Sequence, residues 1–424
     1  MGILDKTFDT EFVVCAIDIG VAVSSVSFLH VKPGDDFEAL HDKVYRVSKW
    51  PFHKDRTTDI PFALCYRNGK AIKNRMGANA KPPGPGEDWV VVKNFKTFVT
   101  TLGSDDTSNE SLPPGVTLAR VYEDWLKFLF DAGSEAFVEQ FDVPGDVWER
   151  RMCVFISPNE WGKAEQANVR KIIHRAGCIE YDEHVRFTRE SEATLHYCLY
   201  HGLADQLTAP VGLEFFVCNS GITTDIGFFK VISTDPLEFE EVSAAISLNL
   251  GSTDPDDFSA VNLIEAKIRE KKRKTATHPK FLVMGGGYSR NIDARTQLSK
   301  KLKPDGIQVI APLRGPADFG VNESPTVDGG LYSFLHNFVS ARAAAATFGT
   351  NILITYDEAT ATPEQRRRFQ NSPYHHGGTS YINHGWSTIV KKVVKNHVVI
   401  FGKKTTRPGI EPRTVPTLGG CSNH

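Results

Sequence analysis

The sequence is poor in the features that mark membrane, disulfide-rich and nucleic-acid-binding proteins. Its 424 residues hold seven scattered cysteines without a CxxC pair, which indicates neither a zinc ribbon nor a disulfide framework. No apolar run approaches the ~20 residues of a bilayer span, and the amino-terminal residues lack the apolar core of a signal peptide. A formal net charge of -2 supplies no field that attracts phosphate backbones or an anionic membrane. We therefore expect a cytoplasmic protein that binds neither nucleic acid nor membranes.

What the chain does contain is an alternation of strand-like and helix-like segments. Apolar, β-branched runs predict a hairpin over 12–20 and 24–31 with Asp18 near its mouth, and a second half that opens in the same way at 213–218 and 225–232. Helical spacing is found over 118–141, 161–176, 190–203, 256–272 and 326–345. These patterns predict an α/β fold in two lobes, 1–205 and 206–398, followed by a disordered tail, 399–424.

Three segments in which a strand runs into a small-residue turn carry the predicted chemistry. They are 18–20 with Ser24 and Ser25, then 219–225, then 285–287. Backbone N–H groups approach phosphate oxygens only where no side chain intervenes, and such turns form anion-binding nests. A carboxylate at each of two facing hairpins would hold a hydrated Mg²⁺, because hard cations prefer oxygen ligands and retain water. Asp18 and Asp225 are the candidate carboxylates.

The order of these segments resembles the ATPase domain of the 70-kDa heat-shock proteins, in the superfamily of actin and the sugar kinases. The motifs concerned are phosphate 1 at 16–28 (AIDIGVAVSSVSF), phosphate 2 at 217–231 (VCNSGITTDIGFFKV) and adenosine at 281–291 (FLVMGGGYSRN). The segments 157–161, 175–177 and 190–199 resemble the first connecting region, and 326–334 the second. The segments 48–51 (SKWP), 95–98 (FKTF) and 354–369 are similar to a divergent heat-shock-like branch of filamentous fungi.

The resemblance covers residues 12 to about 395 and implies a two-lobed actin-like ATPase fold of ribonuclease H-like repeats, with a reduced cap subdomain in the second lobe. It implies ATP, ADP and Mg²⁺ as ligands. The implied catalytic residues are Asp225, Thr223 and Glu190, and the implied metal ligands are Asp18 and Asp225. The implied nucleotide contacts are Asp18, Gly20, Ser24, Lys96, Gly221, Thr223, Thr224, Gly285, Gly286 and Gly287.

The resemblance also implies how these residues act. Gly20 and Gly221 would supply phosphate-nest amides, and Thr223 would orient the γ-phosphate or the attacking water. Glu190 would be a carboxylate behind the metal, with Ser191 in place of the family's proline. Lys96 would offset the charge of the γ-phosphate, because phosphoryl transfer depends on positioning and charge neutralisation.

Three departures from the family pattern predict weak or absent hydrolysis. Val21 and Ala22 stand where hydroxyl residues usually follow the phosphate 1 glycine. Asn219 replaces an aspartate of phosphate 2, and Ile222 interrupts its glycines. Gly285 follows Asp225 by only 60 positions, less than half the family spacing, so the cap is short. Loss of one preorganised charge-stabilising donor already costs ~10²–10³ in rate.

Two other functions are compatible with the sequence. A nucleotide-free pseudo-ATPase would use the same fold as a protein-interaction scaffold, with a partner that the sequence does not identify. A small-molecule kinase would need a base carboxylate facing an acceptor pocket, and no motif nominates one. The basic run 271–274 (KKRK) is interpreted as a solvated helix end whose charges suit the helix dipole.

Overall fold

The computed structural model describes residues 8–36, 40–93, 112–159, 161–221, 223–249, 259–275, 277–286, 289, 291–312, 325–371, 374–376, 379–394 and 397–400. The chain divides into two compact units, residues 1–240 with 245–339, and residues 241–244 with 340–424. Both predicted lobes contribute to the first unit, and the boundary between them stays a prediction. Residues 401–424 of the predicted tail lie outside the described residues.

The first unit is a mixed α/β structure, which confirms the predicted α/β class, whereas the two-lobed actin-like fold stays a prediction. Its described strands are β1 (Phe12–Ile19), β2 (Val23–Val31), β3 (Tyr45–Arg46), β4 (Ile60–Pro61), β5 (Ala63–Arg67), β6 (Lys70–Met76), β7 (Val90–Lys93), β8 (Met152–Ser157), β9 (Val185–Arg189), β10 (Glu214–Ser220), β11 (Thr223–Thr234), β12 (Leu237–Asn249), β13 (Phe281–Gly285) and β14 (Gln308–Ile310). Its described α-helices are α1 (Leu118–Phe141), α2 (Gly145–Glu149), α3 (Lys163–Arg175), α4 (Glu190–Cys198), α5 (Ala204–Leu207), α6 (Ser259–Thr275), α7 (Ile292–Leu302) and α8 (Pro325–His336). No helix in the described ranges is both long enough and apolar enough to cross a bilayer.

Two sheets of the first unit repeat one strand order. The first runs β3-β2-β1-β8-β9, and part of the second runs β12-β11-β10-β13-β14. In each, the first two strands in chain order form an antiparallel hairpin, and two later strands add in parallel beside the first strand of that hairpin. A helix connects the two parallel strands in both cases, α3 in the first sheet and α7 in the second. The similar opening of the two halves of the sequence therefore corresponds to a repeated topology.

Local sequence accounts for the best-defined elements. The hairpin of β1 and β2 has the predicted bounds within one or two residues, and Asp18 pairs in register with Ser25 near the turn. Helix α1 begins after Thr117, whose hydroxyl accepts a hydrogen bond from the N–H of Arg120. It ends at Asp142, which takes a left-handed backbone conformation. Its bounds are those predicted from the apolar spacing.

The helices α4 and α8 pack against each other, α4 against β10 and β11, and α8 against β1 and β2. The approach of the two helices is close at Gly329 of α8, where an added Cβ would lie 2.0 Å from the carbonyl oxygen of Ala193. At Gly330 an added Cβ would lie 2.4 Å from Cδ1 of Ile156 in β8. Glycine is therefore required at this packing interface, because any side chain would push the helices and the sheet apart.

Buried thiols contribute to the core of the first unit as small apolar residues. Six cysteines are reduced and buried: Cys15, Cys65, Cys153, Cys178, Cys198 and Cys218. Burial raises the pKa of the thiols of Cys15 and Cys178 well above the ordinary value, which keeps both in the unreactive protonated form. This confirms that these cysteines form no disulfide.

The second unit contains β-strands and one described helix, and it corrects one helix boundary. Its elements are β15 (Val339–Thr355, of which Val339 belongs to the first unit), α9 (Pro363–Asn371), β16 (Tyr374–His376), β17 (Thr379–Val394) and β18 (His397–Ile400). The helix predicted over 326–345 ends at His336, and Asn337 takes a positive φ of 43°. The alanine-rich stretch that follows pairs with β17 instead, so strand pairing outweighs the high intrinsic helix propensity of alanine.

Replacing Gly329 with alanine tests the packing of α4 on α8. We expect a loss of about 3 kcal/mol or more in the free energy of unfolding, because the clashing atom belongs to backbone that cannot rotate away. Gly145→Ala is the matched control, since its Cβ meets no atom within 4 Å. It should leave stability unchanged or raise it by up to about 1 kcal/mol. Urea unfolding checks both, and equal effects would contradict the packing described.

Candidate functional site

The segments predicted to carry the chemistry lie at the carboxyl ends of β1, β10 and β13. Strand β1 is parallel to β8, and β10 is parallel to β13, so the carboxyl ends of each pair lie at the same edge of their sheet. The carboxyl ends of parallel strands are where open α/β sheets bind ligands. The two hairpin turns therefore occupy equivalent places in the two repeats.

The first turn requires glycine for its own geometry. The N–H of Gly20 donates to the carbonyl oxygen of Val23 at 2.8 Å, and an added Cβ would lie 2.5 Å from that oxygen. The Gly20 amide is thus used inside the turn. The N–H groups of Val21 and Ala22 donate to no atom of the described residues, and both residues are only half-buried. Any anion bound at this turn would therefore be held by these two amides.

The serines after the first turn make hydrogen bonds within the protein that stabilise the fold. Ser24 is fully buried, and its hydroxyl accepts a hydrogen bond from the indole N–H of Trp125 at 3.0 Å. The hydroxyl of Ser25 donates to Asp59 at 2.7 Å. Asp18, the register partner of Ser25, is half-buried. Of the predicted side chains at this hairpin, Asp18 is therefore the one whose position suits a ligand.

The second turn also uses the N–H of its glycine internally, but it is tighter by one residue and leaves room for a Cβ on the glycine. The N–H of Gly221 donates to the carbonyl oxygen of Thr223 at 2.9 Å. The hydroxyl of Thr224 is fully buried and lies 3.0 Å from that of Ser220, whereas Thr223 is half-buried. Ile222 lies outside the described residues. Thr223 is therefore the threonine of this turn that a ligand can reach.

Asn219 connects this turn to the first turns of two helices. Its amide nitrogen donates to Oε2 of Glu190, at the start of α4, over 3.0 Å. Its amide oxygen accepts from the hydroxyl of Thr326, near the start of α8, over 3.5 Å. A carboxylate at the first turn of a helix is favoured by the helix dipole, which explains why Glu190 can be buried there. Both functional ends of the Asn219 side chain are engaged within the protein.

Asp225 is linked to the other repeat by the loop after β8. Its carboxylate is 1% exposed, and Oδ1 accepts from the backbone N–H of Asn159 at 3.2 Å and from the hydroxyl of Ser247 at 2.5 Å. Asn159 lies three residues beyond Ile156, the register partner of Asp18. The loop therefore begins at the strand beside β1, where Asp18 lies, and reaches a hydrogen bond to Asp225 in the second sheet.

Asn159 also holds a donor that no described residue satisfies. Its amide oxygen accepts from the hydroxyl of Ser191 at 3.1 Å, while Nδ2 is buried and has no partner among the described residues. A buried N–H without an acceptor costs about 1–3 kcal/mol unless water or a ligand oxygen completes it. The network therefore has unused capacity to donate a hydrogen bond beside Asp225.

The glycines at the end of β13 lie against Asn219 and Ser220 of the second turn. Gly285 is the register partner of Asn219. Gly286 has a φ of +76°, and an added Cβ would lie 2.5 Å from Oδ1 of Asn219 and 2.6 Å from the carbonyl oxygen of Ser220. Gly286 thus permits the close approach of the third predicted segment to the second. Gly287 and Lys96 lie outside the described residues, so their predicted contacts stay predictions.

The donor set suits Mg²⁺ better than a protein-enclosed metal. Within the part of the chain that the structure describes, no three His, Cys, Asp or Glu side chains are grouped to hold a metal ion. Mg²⁺ is usually held by one or two carboxylates together with waters and substrate phosphates. Asp18 and Asp225 fit that pattern, and Asp225 already has two hydrogen-bond donors that hold it in place.

One buried ion pair beside the site was not predicted from the sequence. Asp328, in the first turn of α8, is fully buried and accepts hydrogen bonds from Ser27 at 3.0 Å and Arg46 at 2.7 Å. Burial raises the pKa of Asp328, although Arg46 and Ser27 act in the opposite direction. A carboxylate within an otherwise apolar helix is the sequence feature that could have indicated Asp328 as a functional residue. Asn159 was not predicted either, although it comes directly after a buried strand.

The chain matches no model of a known protein family and no curated protein sequence.

Changing Asn219 to aspartate tests the polar network. The new carboxylate would face Glu190 at about 3 Å in a buried site, and we expect a loss of about 2–4 kcal/mol in the free energy of unfolding. The loss should shrink as the pH falls, because protonation removes the repulsion. The double variant Glu190→Gln/Asn219→Asp restores one carboxylate and one amide, and should recover stability to within about 1 kcal/mol. Urea unfolding at pH 5 and 8 checks this, and the absence of rescue would contradict the Asn219–Glu190 contact.

Proposed function

We propose that this protein binds Mg²⁺–ATP at the polar network between its two hairpin turns and hydrolyses it weakly or not at all. In this proposal it is a heat-shock-70-like, actin-like nucleotide-binding protein of the cytoplasm. The observation that carries the proposal is the position of the two turns. They lie in equivalent hairpins of two sheets with the same strand order, and the loop after β8, the strand beside β1, reaches Asp225 through the backbone N–H of Asn159.

The proposal assigns the phosphate contacts mainly to backbone. The amides of Val21 and Ala22 are the donors left over at the first turn, and Thr223 is the reachable hydroxyl at the second. The orphaned Nδ2 of Asn159 would supply a further donor to a phosphate oxygen or its water. Amides held by a tight turn are already oriented, so they bind an anion with little loss of conformational freedom.

The carboxylates Asp18 and Asp225 would accept hydrogen bonds from the waters of Mg²⁺. Bound Mg²⁺ neutralises phosphate charge and orients the phosphate chain. Hydrogen bonds from Asn159 and Ser247 hold the carboxylate of Asp225 in place without a metal. Asp18 is more accessible than Asp225, which suits it to the entry side of the site.

The same contacts support slow chemistry. Asn219 is uncharged, and both its amide groups are engaged with Glu190 and Thr326, so it offers nothing to a metal or to an attacking water. Val21 and Ala22 carry no hydroxyl that could follow charge developing on the γ-phosphate. Ground-state binding through backbone amides can persist without these groups, whereas transition-state stabilisation needs them.

Calorimetric titration with ATP tests the binding proposal. We expect Mg²⁺-dependent heat, weakened about tenfold in Asp18→Asn and Asp225→Asn through the loss of roughly 1.4 kcal/mol of metal-linked attraction. In EDTA, the two substitutions should change the affinity for ATP by less than about twofold, because the metal contact is already absent. Asp124→Asn, in α1, is the control for the same chemical change. No binding tighter than about 1 mM by the folded protein would refute the proposal and favour the scaffold alternative.

Phosphate release under saturating Mg²⁺–ATP tests the second half of the proposal. We expect kcat below about 0.1 s⁻¹, at least ~10²-fold under the median for enzymes. A turnover well above this value that disappears in Asp225→Asn would show that the altered turns still support hydrolysis.

A further inference from the structure

A second polar concavity lies at the opposite end of β13. It has a volume of about 370 Å³ and is lined by Arg269, Lys272, Arg273, Thr277, His278 and Asp305. Thr277 and His278 precede β13, whereas the glycines of the candidate nucleotide site follow it. A five-residue strand separates the two places by about 15 Å. This concavity, called the basic pocket below, is therefore distinct from the network around Asp225.

The basic pocket carries an excess of positive charge. Three cationic side chains face a single carboxylate, Asp305, which leaves an excess of two positive charges before His278 is counted. The hydrogen bond from Arg269 lowers the pKa of Asp305, so this carboxylate stays ionised. Glu265 pairs both with Arg269, at 2.6 Å, and with Lys301, at 2.9 Å. Counting Glu265 together with Lys301 leaves the excess at two. The charge suits an anion.

Asp305 fixes two of the three cations in place. Nε of Arg269 donates to Oδ2 of Asp305 at 2.8 Å, and Nζ of Lys272 donates to its backbone carbonyl oxygen at 2.8 Å. Arg269 is further held by the backbone carbonyl of Lys301 at 2.9 Å. Two cationic side chains are thus preorganised in the wall of the basic pocket, which lowers the entropic cost of binding.

Two lining side chains have donors that the protein does not use. The guanidinium of Arg273 and the imidazole of His278 make no hydrogen bond or ion pair with any described residue, although both border the basic pocket. The hydroxyl of Thr277 lies beside them, 2.7 Å from that of Thr275. A guanidinium, a hydroxyl and an imidazole that line one pocket are donor groups of the kind that bind phosphate oxygens.

The helix dipole does not by itself explain this arrangement. Basic residues are favoured in the last turn of any helix, and Lys274 shows the ordinary outcome: it is exposed and pairs with Glu270 at 2.7 Å. Arg273 is its neighbour in sequence but borders a concavity and has no such partner among the described residues. Arg273 and Lys274 are both exposed, so what separates them is the acidic partner of Lys274 and the position of Arg273 at the edge of the basic pocket.

From this geometry we infer that the basic pocket binds a phosphate group, with Arg273 and His278 as direct donors and with Arg269 and Lys272 held behind them by Asp305. The volume lies at the lower end of the range for small-molecule sites, which leaves room for more than the phosphate itself. Free phosphate and a phosphorylated small molecule share this chemistry. Binding here needs neither Mg²⁺ nor the hairpin turns.

Titration with inorganic phosphate and with glucose 6-phosphate in EDTA tests the inference, with glucose as the uncharged control. We expect Arg273→Gln to weaken both phosphate probes about tenfold, as the loss of one charge-assisted hydrogen bond predicts. Lys274→Gln removes the same charge from the adjacent residue and should change either affinity by less than about twofold. Both side chains are exposed, so neither variant should disturb the fold.

The probes distinguish the two sources of the phosphate group. Tighter binding of glucose 6-phosphate assigns the site to a phosphorylated small molecule, and equal binding assigns it to phosphate alone. The inference is overturned if neither probe binds tighter than about 1 mM, if Arg273→Gln has no effect, or if Lys274→Gln weakens binding equally. Arg273→Gln should leave the Mg²⁺–ATP titration unchanged, which separates this site from the proposed nucleotide site.

Discussion

The arrangement of the first unit depends on the close approach of α4 and α8 at Gly329. The backbone of Ala193 lies where a side chain on Gly329 would stand, so the two helices can only meet through glycine. Helix α8 also packs on the first sheet, and α4 contacts strands of both sheets. Their first turns carry Glu190 and Thr326, and the packing brings both to Asn219 at the end of β10. A steric constraint in the apolar core thereby sets the geometry of the polar network.

In the polar network, uncharged hydrogen-bond donors stabilise buried carboxylates. Asp225 receives a backbone N–H and a hydroxyl, and Glu190 receives an amide, so uncharged donors stabilise both buried carboxylates. An aspartate in place of Asn219 would add a third carboxylate to a site with little water to screen it. The neutral residue thus favours a stable fold, and it does so at the position where a charge would assist catalysis.

The two proposed sites would attract an anion in two different ways. The proposed nucleotide site would use the amides of Val21 and Ala22, which carry partial charge and are held by a tight turn. At the amino end of β13, cationic side chains surround a pocket and are held by Asp305, so charge is supplied in full by side chains. The first arrangement suits a metal-bound phosphate chain, and the second suits a phosphate without a metal.

Sequence patterns alone determined the α/β class, the hairpin of β1 and β2, the span of α1 and the grouping of Asp18, Asp225 and the glycines as candidates, because these depend on residues close in the chain. Tertiary structure decided the rest. The hydroxyl of Ser24 accepts a hydrogen bond from Trp125, a residue 101 positions away. The alanine-rich segment after Asn337 forms a strand because β17 pairs with it. The roles of Asn159, Arg46 and Asp328 depend on the same kind of distant contact. The periodicity of apolar residues indicates which face of a helix or strand is buried. Hydrogen bonds between elements far apart in the chain produce no such local pattern, so the sequence does not predict them.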